Sequence, residues 1–85
     1  MALDVVFTHR AVRDLRGLAV IDRSRVLQRL SAFAASPDVV HFDILRLVGS
    51  SEGFRLRVGD WRVVFNIIGH AIEVRRIGHR REVQG

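Results

Sequence analysis

Arginine sets the chemical possibilities of this 85-residue chain. Arg55 and Arg57 stand two apart in an alternating run, Arg62 follows in a second such run, and Arg75, Arg76, Arg80 and Arg81 come close behind. Side chains two apart on a strand share a face, and a neighbouring strand brings another residue alongside, so Arg55, Arg57 and Arg62 can converge. A guanidinium is a planar, permanently charged fork matched to two phosphate oxygens. Three of them on one face predict a surface that holds phosphates. A solvent face kept charged against aggregation is the other explanation. Such faces usually mix signs, however, and here Asp60 falls in a turn while Glu73 could pair only across strands.

All 14 basic residues are arginine, set against 9 acidic ones, for a formal charge of +5. A GC-rich genome accounts for most of that bias, but the consequence stands: every cation suits a polyanionic partner. The absence of cysteine excludes a disulfide framework and thiolate metal sites, and His9, His41 and His70 have no partner at metal-ligand spacing. Neither a metal nor a cofactor is expected. There is no secretory leader pattern, and the apolar runs fall far short of the roughly 20 residues that span a bilayer, so the expectation is a soluble cytoplasmic protein without a membrane partner. The length suits one domain, residues 1–85. With 48% hydrophobic residues in so small a chain, apolar side chains should remain at the surface for a protein partner to cover.

The elements that must position the arginines follow from periodicity. Leu3 to Phe7 reads as a strand, and Thr8 as the N-cap of a helix with Val12, Leu15 and Leu18 on its apolar side and an end near Gly17. A second helix runs from Ala19 or Val20 to Ala35, with Leu27, Leu30, Phe33 and Ala34 inward, and Ser36-Pro37-Asp38 closes it because the residue before proline is pushed out of the helical region. The two form an antiparallel hairpin. Strands then follow at Ile44 to Val48, Gly53 to Val58, Trp61 to Ile68 and Ala71 to Ile77. Gly59-Asp60 and Gly69-His70 are two-residue turns, so the last three strands should form an antiparallel meander whose apolar face packs on the helices, an α+β fold. Arg75 and Arg76 are adjacent, which predicts opposite faces and at most one of them in the site, the other pairing with Glu73 or lying along the sheet edge.

This order of elements, with Phe54-Arg55-Leu56-Arg57-Val58-Gly59-Asp60-Trp61-Arg62-Val63-Val64-Phe65 and Ile77-Gly78-His79-Arg80-Arg81-Glu82-Val83, resembles the RelE/ParE toxin superfamily of type II toxin–antitoxin systems, its RelE branch more than its ParE branch. The likeness spans nearly the whole chain. It implies a RelE-like fold of the microbial-RNase type and a toxin that cuts mRNA in the ribosomal A site, with a cognate antitoxin as partner. It also implies a cationic concave sheet face in which Arg55 and Arg57 match two basic residues of one strand, Arg62 matches the arginine of the next, and Arg80, with Arg81 beside it, matches the arginine after the last.

The chain departs from the family at its end. A tyrosine commonly follows Glu-Val in relatives, where this sequence has Gln84-Gly85 and no tyrosine anywhere, and lysine often fills one or both of the first basic positions. Cleaving RNA through its 2′-hydroxyl needs a proton acceptor, a stabiliser of the crowded phosphate and a proton donor for the leaving oxygen. Arginine suits only the second role, because its pKa lies above about 12. Arg62 and Arg80 are therefore the candidate stabilisers, and Arg55, Arg57, Arg62, Arg80 and Arg81 the candidate phosphate ligands. His79 can serve as acid or base if its ring faces the sheet surface, and is otherwise a strand-end histidine. Glu82 is either a base or the ion-pair partner of Arg80 or Arg81. Two further functions stay open: a ParE-like inhibitor of DNA gyrase, and an attenuated toxin acting mainly as antitoxin partner and co-repressor.

Overall fold

The computed structural model describes residues 2–38, 41–47 and 53–83. Its elements run β1 (Asp4–Phe7), α1 (His9–Arg16), α2 (Val20–Ala35), β2 (Ile44–Arg46), β3 (Phe54–Val58), β4 (Trp61–Ile68) and β5 (Ala71–His79). Part of the strand expected over 44–48 and all of residues 39 and 40 lie outside the described residues. One sheet orders the strands β1-β5-β4-β3-β2, antiparallel except for β1, which lies parallel to β5 at the edge. Gly59 and Gly69 take positive φ, 59° and 60°, as the tight turns of the meander require.

The helices begin and end for local reasons. Thr8 is extended, and its hydroxyl oxygen accepts the Ala11 N–H at 3.1 Å, capping α1, whose last turn carries Arg13 and Arg16 where the helix dipole favours cations. In α2 the buried residues are Val26, Leu30, Phe33 and Ala34, spaced i, i+4, i+7, i+8. Leu27, expected inward, is instead exposed: one step along the helix rotates a side chain by about 100°, and Val26 takes the inward place.

These residues join Ala11 and Leu18 in a single core with Leu56, Val58, Val63, Phe65, Ile72, Val74 and Ile77 of the sheet. Phe33 lies at its centre, with ring centroids 5.3 Å from Phe42 and 5.6 Å from Phe65. The helices thus cover one face of the sheet. The alternating residues of β3 and β4 must lie on the other.

A β-bulge interrupts β5 at Arg75, and the two arginines divide as expected, Arg76 across from Val64 and Arg75 paired with Glu73. Val64 pairs with Arg76 but Phe65 with Val74, so Arg75 is an extra residue and the buried Val74 and Ile77 stand three apart rather than two. Simple alternation fails here, and both arginines fall between inward-facing neighbours. Two side chains satisfy backbone groups around the bulge: the Thr8 hydroxyl donates to the Arg75 carbonyl at 3.0 Å, and Asp14 Oδ2 accepts the Ile77 N–H at 2.9 Å. Asp14→Ala leaves that N–H without its charged acceptor and should cost about 2 kcal/mol, read as a lower urea midpoint at unchanged slope. A midpoint equal to wild type would mean that water or another acceptor replaces the carboxylate.

Candidate nucleic-acid interface

The strand register sets the arginines in rows on the face away from the helices. Arg57 lies directly across from Arg62, and Arg62 from Gly78; in the next row Arg55 lies across from Val64, and Val64 from Arg76. Arg80 follows β5, where its N–H donates to the Asp60 carbonyl at 2.7 Å and its Nε lies 3.8 Å from Asp60 Oδ1. The end of β5 is thereby tied to the turn between β3 and β4. Arg55, Arg57 and Arg80 all act electrostatically on Arg62. Arg76, not chosen from the sequence, stands in the same rows because of the bulge.

Arg62 is the centre of this surface. Only 8% exposed, it is the one buried charged residue among those described. Its Nη1 donates to the carbonyls of Gly59 at 2.9 Å and Trp61 at 3.0 Å, folding the guanidinium back onto its own turn. It forms no ion pair with a carboxylate among the described residues. Burial lowers its pKa from the ordinary arginine value, and the positive charges of Arg57, Arg55 and Arg80 lower it further, opposed by Asp43. Burial and the three like charges act against this cation, and an anion bound over it would relieve them.

Asp43 corrects the expectation of a face without acids. Its Oδ2 lies 3.5 Å from Arg57 Nε, with both side chains more than half exposed, so the pair is weak and open to competition. The irregular stretch around residue 43 has no period from which its side could have been read. Arg75 pairs with Glu73 at 2.8 Å. Arg81 is exposed and is not among the charges acting on Arg62.

A small apolar floor lies beneath the arginines. Val64 and Val83 are buried, 0% and 5% exposed, yet neither belongs to the core under the helices. Val83 packs on Gly78, where an added Cβ would come within 2.7 Å of its Cγ2. Because Gly78 is the register partner of Arg62, the closing segment turns back beside the basic rows.

The proposed proton carriers are placed elsewhere. His79 pairs with Trp61 across the strands, and their rings meet edge-on at 5.6 Å, on the side of the sheet that carries the helices. Its Nδ1 accepts the Arg81 N–H at 3.2 Å. His79 therefore does not join the arginine rows, a correction that follows from strand parity: it comes one residue after Gly78, which faces them. Glu82 is exposed, and its Oε1 accepts the His79 N–H at 3.3 Å. Gln84, where relatives commonly have tyrosine, lies outside the described residues. As arranged, the surface can bind and stabilise a phosphodiester, and among the described residues no histidine stands in the arginine rows.

Among the described residues, no group of three or more His, Asp or Glu could hold a metal ion, and no helix is long and apolar enough to cross a membrane.

A family model for the ParE toxin of type II toxin–antitoxin systems, parDE, matches residues 5–84. Among solved structures, the RelB–RelE antitoxin–toxin complex of Methanococcus jannaschii contains a chain 26% identical, with 91% of this chain and 92% of that one covered at a TM-score of 0.75. The RelE–RelB complex of Pyrococcus horikoshii gives 23% identity, 98% and 100% coverage and a TM-score of 0.78. The RelBE2 complex of Mycobacterium tuberculosis gives 24%, 94% and 100%, and 0.79. No curated protein matches the sequence significantly.

Proposed function

Since this chain belongs to the ParE toxin family of type II toxin–antitoxin systems, within the RelE/ParE superfamily, we propose that it is a RelE-like toxin that binds mRNA on the ribosome and cuts it, stopping translation. Residues 1–85 constitute its toxin domain in this reading. Arg62 and Arg80 stabilise the scissile phosphate, while Arg55 and Arg57 hold the backbone beside it. One observation carries the reading: Arg62 is buried with the charges of three arginines acting on it against one opposing carboxylate, that of Asp43, an arrangement that costs stability and that a bound polyanion relieves.

A cognate antitoxin is the second partner. The M. jannaschii, P. horikoshii and M. tuberculosis relatives were solved as toxin–antitoxin complexes. Val20 and Ile21 at the start of α2 and Ile68 at the end of β4 are 72%, 69% and 55% exposed, apolar surface of the kind that a folding-on-binding segment covers.

The match to the ParE model favours one further reading, inhibition of DNA gyrase without nuclease chemistry. Mapping RNA ends after induction, beside a supercoiling assay with purified gyrase, separates the two. The nuclease reading expects new ends phased to codons within translated messages and intact supercoiling. Unbroken messages with inhibited gyrase would reject it in favour of the second.

A further inference from the structure

The basic surface does not stop at the sheet. A concavity of about 300 Å³ lies where α2 passes the β3–β4 turn, lined by Arg25, Gln28, Arg29, Arg57, Val58 and Gly59. The Arg57 N–H donates to the Asp43 carbonyl at 2.9 Å, just beyond the β2–β3 pairing over residues 54–56, and Arg57 both lines the hollow and stands across from Arg62. Arg25 and Arg29 are one helical turn apart and share a side of α2. Arg29 stacks on Phe42, its guanidinium carbon 4.5 Å from the ring centre, while Arg57 keeps only its weak, exposed pair with Asp43 at 3.5 Å. The result is three guanidiniums and one amide around an open hollow, with no carboxylate among the described residues that line it and Asp43 beside Arg57 outside the lining.

We infer that this hollow is a second phosphate site, which takes the backbone of the same RNA one or more nucleotides away from the phosphate at Arg62, with Arg57 shared between the two. The inference rests on the nucleic-acid reading of the sheet face. An acidic peptide is the other conceivable occupant, but a segment that folds on the protein needs apolar anchors, and among the described lining residues Val58 alone is apolar. A chain of regularly spaced phosphates asks for what is there: separate cationic sites in sequence, linked by a common residue.

The test uses fluorescently labelled oligouridylates of about three and about twelve nucleotides, titrated with the purified full chain over a range of salt. Each phosphate contact to a single strand contributes about 0.7 to the slope of log affinity against log salt. Wild type should bind the longer oligomer with a steeper slope. In Arg25→Gln/Arg29→Gln that extra slope should shrink by about 0.7 to 1.4, and the advantage of the longer oligomer should fall about tenfold at low salt. Because Arg29 touches Phe42, the exposed Arg25→Glu alone is measured as well and should reduce the same advantage. If both variants keep the wild-type difference between the oligomers, the second site is wrong while the reading of the sheet face stands. The second site is equally wrong if they weaken only the binding of an acidic antitoxin peptide. If wild type binds neither oligomer in a salt-dependent way, both are overturned together.

Discussion

Arg62→Met should give a protein that is more stable and almost inactive. The wild-type guanidinium has been taken from water, faces the charges of Arg57, Arg55 and Arg80, and has no ion-pair carboxylate among the described residues. Replacing a buried ion by an apolar side chain of similar volume is often neutral or stabilising by roughly 1–4 kcal/mol. Against this stand the charge-assisted bonds to the Gly59 and Trp61 carbonyls, each worth about 1.5–3 kcal/mol net. Gly59 is exposed, so water can replace one of them. A small net gain, below about 1 kcal/mol, is expected, seen as a slightly higher urea midpoint.

The direction of the pKa shift gives the same sign. A cation whose pKa is lower folded than unfolded carries a penalty that is fully present below both values, and therefore across the neutral range, and is relieved only in strong alkali. Cleavage on programmed ribosomes should meanwhile fall by at least about 100-fold, the usual loss when a preorganised donor to a charged transition state is removed. Opposite signs for stability and activity would identify a group kept for function at the expense of the fold. A variant less stable than wild type that still cuts RNA would make Arg62 an anchor of the hairpin and remove it from the chemistry.

What the sequence made legible was whatever depends on period. Helix and strand positions, the glycine turns and the two-apart arginines all follow from residue spacing, which is why the rows of Arg55, Arg57 and Arg62 could be anticipated. The failures occur where period is interrupted. At the bulge one additional residue breaks the alternation of β5 and sets the buried Val74 and Ile77 three apart, although the expected division of the two arginines, one in the rows and the other on Glu73, holds. Asp43 and the hollow at Arg25 and Arg29 depend on how an irregular stretch and a helix pass the sheet edge, a relation between distant segments that local pattern does not encode. His79 belongs to a different class. Its side was readable from parity with Arg62 and Gly78 once the register was known, but its chemistry drew attention before its geometry did.

With His79 turned to Trp61 and Glu82 engaged by backbone, the arginine surface has a stabiliser and, among the described residues, neither of the expected proton carriers beside it. Residue 84 is bonded to Val83, which is fixed on Gly78, the register partner of Arg62. Gln84→Tyr should therefore raise single-turnover cleavage by about 100-fold, the low end of what a positioned acid or base contributes. A phenol has a pKa of about 10, and neighbouring cations lower it by favouring phenolate, so the gain should grow with pH through the mildly alkaline range. Gln84→Phe is the necessary companion, since it adds the ring without the hydroxyl. A gain with tyrosine alone assigns the missing step to proton transfer. Equal gains from both residues would assign it to packing against the RNA, and no gain from either would mean that the rate is limited by another step, with the tyrosine common in relatives dispensable on this scaffold.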